Sequence, residues 1–511
     1  MSAKTRGKVL ISLVFWAFPA AGHTLRGGEV QVILWFDTED YLLPADDDAT
    51  LRLAELLAER GIRATFKLVG EKARVLERRG RADVIAALKK HDIGYHANYH
   101  SVHPAPAEYL AVAGWADGVA EFIRREGPGA DDVRRILGVE TLSCYGQPGS
   151  SWAPQTLAAL GAMKIAPHGV PCYVDEGSHV GFGGEPFWYA GALTVYNMPP
   201  NRTRMDLHEE GGLEEGKRDF AEIHRRLAAR PAGGLISIFY HPCEWVHVSF
   251  WDGVNFSRGR NPPREEWQPP PQRPAAETDA AFARFAAYLD FQRALPGVKY
   301  VTATDLPLLY PDPVRRAGLA GEALAPVAAA LAGAAAVDVA RVGSGSLSPA
   351  DQLVALTELV AGAIEKGKLP ARVEVAAVLG PPEAPPRTEV EALAWPAFRD
   401  ALLDLRDALR VRKQVPAVVF AGTKKVAPAD FLVGLARAAD HVLGAAREGK
   451  PLFPERVAIP AGTAIATEKR VAGDTPGLFG GWVIHEEGFR APRIVEQARL
   501  QAWTLKPARG D

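Results

Sequence analysis

From about residue 29 to 312, short apolar runs alternate with amphipathic stretches. VQVILWFD is a continuous apolar run that closes on an acid at Asp37. ATLRLAELLAERG repeats its apolar positions at helical spacing and stops at Gly61, a helix end signal. ATFKLVG reads as a second strand, and a helical stretch to Lys90 leads into a third, DIGYH. LSCYG, KIAPHGV, LISIFYHP and VKYVTATDL are further strand candidates, with KRDFAEIHRRLAAR and DAAFARFAAYLDFQRAL as helices between them. Strands that recur with helical connections predict a parallel α/β sheet, and periodicity alone leaves open whether it is doubly wound or closed as a barrel. Several runs end on an ionisable residue: Asp37, His96, His241 and Asp305. In sheets of this kind, sites gather at the carboxyl ends of the strands.

The pattern changes at both ends of this region. Lys4, Arg6 and Lys8 precede the apolar run VLISLVFWAFPAAG, and Ala20, Ala21 and Gly22 suit a cleavage site. Residues 1–22 therefore read as a signal peptide, and the mature chain as exported, either periplasmic, wall-associated or secreted. No other stretch resembles a membrane helix. Residues 23–313 form the expected catalytic domain. Within it, residues 243–276 are an irregular insertion rich in Trp, Pro and Arg, from which Trp245 and Trp251 are expected to stand exposed and stack on sugar rings.

After residue 313 an Ala/Gly-rich connection runs to 345 and reads as a linker. Residues 346–511 then carry a weak internal repeat. The segment from Leu347 to Val375 matches that from Val426 to Ile459, pairing Asp351 with Asp430, Gly367 with Gly449 and Arg372 with Arg456. Both copies open a helix with Pro-Ala-Asp. This predicts a mainly helical two-repeat domain.

Composition narrows the function classes. With 511 residues, 47% hydrophobic and 23% charged, the chain is a globular protein of two or three domains. A formal net charge of -2 gives no basic footprint for nucleic acid. Cys144, Cys172 and Cys243 lack the close spacing of a structural zinc site, and no disulfide framework is expected.

The candidate chemistry sits in two clusters. HDIGYHANYHSVHP places His96, His100 and His103 within eight residues. The four-residue step from His96 to His100 puts both rings on one side of a helical turn or helix-like loop, a spacing that suits two ligands of one divalent cation. Upstream, Asp37, Glu39 and Asp40 end the first strand. One carboxylate would complete the ligand set, with strand period favouring Glu39 and a turn favouring Asp40, and another would take a proton from water. His241, at the end of a later strand, suits a general acid across the site.

These motifs, in this order, resemble polysaccharide deacetylases of the NodB-homology type, carbohydrate esterase family 4. WFDTED stands where the family has T-F-D-D-G or D-x-E-D. HDIGYHANYH stands for H-E-I-G-x-H-[ST]-x-x-H-P, CYGQPGSSWAPQTLAALGA for R-x-P-x-G with its helix, and FYH for L-x-H. The resemblance covers roughly residues 30–310 and implies an irregular (β/α)7 barrel acting on an acetylated glycan. It implies Asp37 as base, His241 as acid and His96 and His100 as metal ligands. His103 stands as a shifted alternative ligand, and the implied cation is Zn2+, or Co2+, Ni2+ or Mn2+. The expected substrate contacts are Trp245, Gln147 and Tyr145, with a backbone N–H near Tyr145 holding the oxyanion. Ala97 replaces the usual Ser or Thr, and the family's base-orienting arginine is absent, with Gln147 nearest its place. The C-terminal repeats weakly resemble pseudomurein-binding repeats, which implies a cell-wall polymer as partner. Two alternatives stay open: a catalytically decayed barrel that binds wall glycan, and a metal hydrolase of another amide or of an O-acetyl ester.

Overall fold

The computed structural model describes residues 28–177 and 179–509, so the expected signal peptide lies outside the described residues. Eight strands frame the first part of the chain: β1 (Val30–Thr38), β2 (Thr65–Val69), β3 (Asp92–Ala97), β4 (Cys172–Asp175), β5 (Phe187–Tyr189), β6 (Ala192–Tyr196), β7 (Gly234–Tyr240) and β8 (Val298–Val301). The chain is a mixed α/β protein with a parallel sheet in the order β3-β2-β1-β7. β1 is its centre. It pairs in parallel with β7 along most of its length, with β8 over its first half and with β2 over its second. Every residue of β1 is buried, which is why it reads as an unbroken apolar run rather than an alternating one.

Beyond β3 the sheet continues through a single residue. Tyr145 bridges Tyr95 on one side and Tyr173 on the other, both in parallel. This leads to a second, four-stranded sheet in which β4 and β6 run parallel, β5 turns back against β6, and Lys506–Pro507 adds an edge to β5. LSCYG is thus one bridge rather than a strand. KIAPHGV is also not a strand: it holds a 3-10 turn at Pro167–Gly169, and the strand starts at Cys172, beyond Pro171.

The insertion after β7 is ordered and apolar inside. Trp245 packs among Phe36, Tyr240, Phe282 and Phe285, and Trp251 among Tyr41, Phe256 and Trp267, both with no exposed surface. The expectation of exposed sugar-stacking rings is therefore corrected. These indoles close the core because the insertion folds back over the helix face instead of extending into solvent.

Residues 314–345 are likewise not a bare connection. They contain the helix Ala325–Ala332 and the strand Ala340–Val342, and Leu324, Val327, Ala328, Leu331 and Val337 lie in a second hydrophobic core. That core also holds the repeat. Its two helices, Pro349–Lys366 and Pro428–Glu448, each end on a glycine in the left-handed region, Gly367 and Gly449, where a side chain would be strained. Each is preceded by a hairpin, Ala340–Leu347 and Val419–Val426. Each is followed by a short strand, Arg372–Val373 or Arg456–Ala458, that pairs antiparallel with a segment upstream of its copy, Leu319–Ala320 or Ala392–Ala394.

The final stretch returns to the first core. Val471, Phe479, Ala491, Ile494, Ala498 and Leu505 pack within it. Tyr189 donates a hydrogen bond to the carbonyl of Ala498, and Lys506 reaches Asp312 and Asp351 at 2.6 and 2.8 Å. Among the described residues no helix is long and apolar enough to cross a membrane.

Candidate metal centre and its cavity

A cavity of about 930 Å3 opens over the carboxyl ends of β1, β3, β4 and β7. Parallel strands leave these ends facing one way, so residues far apart in sequence meet there. Glu39 follows β1 and His96 lies in β3. His100 sits in the turn after β3, in the left-handed region at φ 61°. The two histidines therefore converge through a strand end and a turn, not through a helical turn.

Glu39, His96 and His100 each offer a ligand atom, and these atoms lie within 4.8 Å of one another. Glu39 Oε2 is 3.4 Å from His96 Nε2 and 2.8 Å from His100 Nε2. The outer ring nitrogens are taken up elsewhere: His96 Nδ1 meets the Gly146 carbonyl at 3.0 Å, and His100 Nδ1 meets Ser101 Oγ at 2.6 Å. Such outer partners fix which nitrogen faces inward. His100 Nε2 is buried and makes no aligned hydrogen bond. An inward-facing imidazole pair with one carboxylate and an orphaned nitrogen fits a divalent cation that keeps an open position.

Asp37 lies between this cluster and His241. Its Oδ1 is 3.4 Å from His96 Nδ1, and its Oδ2 is 3.7 Å from His241 Nε2. The cation beside it is Lys67 of β2, at 2.8 Å. Asp37 and Lys67 are direct neighbours across the β1–β2 ladder, and Lys67 faces Gly94 across β2–β3. A Cβ at Gly94 would come 2.9 Å from Lys67 Cγ, and one at Gly146 would collide with its Nζ. Two glycines thus clear the path along which the ammonium reaches Asp37 and the Val174 carbonyl, 3.0 Å away. Burial pushes the Asp37 carboxyl up, but His96, Lys67 and His241 together hold it below its usual range. Asp175, at the end of β4, goes the other way: burial outweighs Lys67 and raises it to about 8.

His241 follows β7. Its Nδ1 and its backbone N–H both meet Glu244 Oε1, at 2.8 and 2.9 Å, and Glu244 in turn pairs with Arg204. Burial opposes the imidazolium, yet the Glu244 hydrogen bond with the charges of Glu39, Glu244 and Asp37 lifts its pKa to about 9. Glu244 drops to about 2, because Arg204 and His241 overcome its burial. The result is an imidazolium aimed across the cavity with its outer nitrogen anchored.

Other expected site residues fall elsewhere. Asp40 turns away from the cluster: its Oδ2 is 3.0 Å from His247 Nδ1, its Oδ1 accepts from the Leu42 N–H, and its carbonyl accepts from Lys72. His103 leaves as well, with Nδ1 2.9 Å from Glu108. The Tyr145 N–H donates to the Cys172 carbonyl at 3.0 Å and its ring is fully buried, so neither the oxyanion role nor a substrate contact is open to it. Trp245 lies in the core, as described. Gln147 does line the cavity, bonded to the Gly149 carbonyl and to Tyr173.

The pattern of residues did not reveal Lys67, Glu244 or the wall formed by residues 477–483. Lys67 left a signal, a lysine inside an apolar strand, and Glu244 another, an acid three residues after His241. The wall left none. Trp482 donates to Asp252 Oδ2 at 2.7 Å, sets its edge against His100 with ring centroids 5.2 Å apart, and lies so close over Gly149 that a Cβ there would enter the indole.

No protein-family model matches the chain, and no curated protein matches it by sequence. Three solved structures with a similar course are distant from it. The peptidoglycan deacetylase PdaC from Bacillus subtilis is 14% identical at a TM-score of 0.27, over 55% of this chain and 91% of its own. The Xyl-CE4 domain of a multidomain xylanase from the hindgut metagenome of Trinervitermes trinervoides is 10% identical at 0.27, over 55% and 90%. Puue allantoinase is 12% identical at a TM-score of 0.36, over 56% of this chain and 91% of its own.

Proposed function

We propose that this chain is a metal-dependent hydrolase that removes N-acetyl groups from a polysaccharide or cell-wall glycan, on an irregular barrel of the deacetylase type. The observation that carries the reading is the single cluster in which Glu39, His96 and His100 converge, with Asp37 beside it and His241 opposite. A divalent cation held by those three residues, Zn2+ first and Co2+, Ni2+ or Mn2+ after it, would polarise the amide carbonyl and acidify water.

The chain's own groups supply the proton transfers. Asp37, kept ionised by Lys67, accepts a proton from the attacking water. His241, charged and held by Glu244, gives a proton to the nitrogen as the C–N bond breaks, so that acetate and a free amine leave. Gly94 and Gly146 matter because they admit Lys67. Its Nζ stands 2.8 Å from Asp37 Oδ1. Export of the mature chain belongs to the same proposal. Attachment of residues 346–511 to a wall polymer is added on the repeat frame alone.

The test uses the full chain, stripped of cation and reloaded, with acetate release measured on a panel of N- and O-acetylated glycans. His96→Ala is expected to lose the bound cation. Asp37→Asn is expected to keep it and to lose turnover by about 10²–10⁴-fold, the usual scale of acid–base catalysis. Equal turnover by Asp37→Asn and the unmutated chain removes the base assignment. Failure to bind any divalent cation favours the glycan-binding alternative.

A further inference from the structure

The cavity is larger than one acetamido group requires. At about 930 Å3 it lies near the upper end of small-molecule sites, and it extends from the candidate metal cluster to the ends of β4 and β6. At that far end three side chains line it: Asp175, His179 and Asn197, each about 2% exposed. Asp175 Oδ2, both ring nitrogens of His179, and Asn197 Oδ1 make no hydrogen bond within the protein. The backbones of Ser150 and Leu478 approach the His179 ring without closing an aligned bond. Buried polar groups in native proteins are almost always paired, so several unpaired groups facing one cavity mark a place for a polar guest.

The recess is rigidly built. His179 lies flat on Trp152, ring centroids 4.7 Å apart and 11° from parallel. The Asn197 N–H donates to the Asp175 carbonyl at 2.7 Å, which fixes those residues side by side. Gly177, between Asp175 and His179, rests against the Tyr196 ring, where a Cβ would come 3.0 Å from Cε1, so no side chain fills the floor.

The three unpaired groups are themselves uncharged near pH 7. Burial drives the His179 imidazole down to about 3 and lifts Asp175 to about 8. One neutral imidazole, one carboxylic acid and one amide offer both donors and acceptors. The nearest cation, Lys67, is already paired with Asp37 at 2.8 Å, and Arg204 with Glu244, so a charged guest would have to compete for its counter-charge. Hydroxyl and acetamido groups would be matched. The distance from the chemistry is short: Lys67 spans it, touching Asp37 with Nζ while bonding to the carbonyl of Val174, the residue before Asp175.

We propose that Asp175, His179 and Asn197 form a subsite for a neutral, hydroxyl-bearing sugar ring next to the one whose acetamido group meets Asp37. This rests on the hydrolase reading above and adds that the substrate is an uncharged oligosaccharide, at least two rings long, across the cavity.

The test is a binding titration of the full chain carrying Asp37→Asn, so that ligands persist. The probes are N-acetylglucosamine, its β-1,4 dimer and trimer, and a hyaluronan oligosaccharide as the carboxylate-bearing comparison. The dimer is expected to bind at least tenfold more tightly than the monosaccharide. His179→Phe, which keeps the stack on Trp152, and separately Asn197→Ala are each expected to remove most of that gain and to leave the monosaccharide affinity unchanged. No gain with length, a gain that survives both substitutions because the recess holds only water, tighter binding of hyaluronan, or no binding of any probe each overturns the subsite. Acetate release by the unmutated chain is read separately: turnover without a length gain removes the subsite and keeps the hydrolase, while a length gain without turnover does the reverse.

Discussion

Lys67→Met removes one charge from the interior and little else, since methionine keeps most of the packing volume. The ammonium side chain is 0% exposed and its partner Asp37 6%, at 2.8 Å. Taking away one member of a buried pair costs about 3–5 kcal/mol, mostly because the remaining charge has lost its compensation. Asp175 adds little to that penalty, because its raised pKa leaves it largely protonated at neutral pH. A second substitution, Asp37→Asn, removes the stranded charge and is expected to recover at least about 2 kcal/mol of the loss, since contacting groups couple by about 0.5–3 kcal/mol. The sign with pH follows from Asp37. Its folded carboxyl lies below the ordinary value, so in the unmutated chain its contribution is present above about pH 4 and fades as pH falls through the folded pKa. The deficit of the single variant should therefore grow from acid to neutral pH. Chains with more than one core seldom unfold in one step, so the readout is native-state amide exchange of β1 and β2, with chelator present. A loss below about 1 kcal/mol, or a double variant whose cost is the sum of the two singles, refutes the account.

Two further outcomes follow from the site. His241 is raised to about 9, so a step that needs its proton should hold below that pH and decline above it; Glu244→Gln should move this alkaline limb of kcat/KM down by about 1–3 pH units, the usual effect of one adjacent charge. An unchanged limb would take the anchoring role from Glu244. Gly149→Ala adds a methyl group under Trp482 at a backbone φ of 51°, and should cost about 1–3 kcal/mol in thermal unfolding while weakening the Trp482–Asp252 contact, seen as a change in indole fluorescence; Trp482→Ala in the same chain should relieve most of that cost.

Strands β1, β2, β3 and β7 were legible because each is a short apolar run with a polar end, a pattern set by burial between neighbours. Asp37, His96 and His241 were legible for the same reason: a charged residue closing such a run has few places to go except the strand-end cavity. Lys67 was not, since a lysine in a strand ordinarily faces water. Only the register opposite Asp37, with Gly94 and Gly146 beside it, shows that it points inward. Trp245 and Trp251 misled because a segment rich in Trp and Pro looks like an exposed loop, whereas its indoles supply the core it covers. Asp40 and His103 share their neighbours' chemistry and are separated from them only by local backbone turns. The pairing of β5 with Lys506–Pro507 joins residues more than 300 apart, and no local pattern encodes such a contact.

The wall at Trp482 and the edge strand at Lys506–Pro507 bear on the order in which the protein is made. β8 leaves the ribosome about 200 residues before that edge, which at 5–20 residues per second is roughly 10–40 s. Throughout that interval the nascent centre stands open on one side, with His100 touching the Trp251 indole but not yet that of Trp482. The duplicated unit must be synthesised before the chain can come back and shut the chamber. A chain cut short after β8 would leave the candidate metal cluster without the wall formed by residues 477–483.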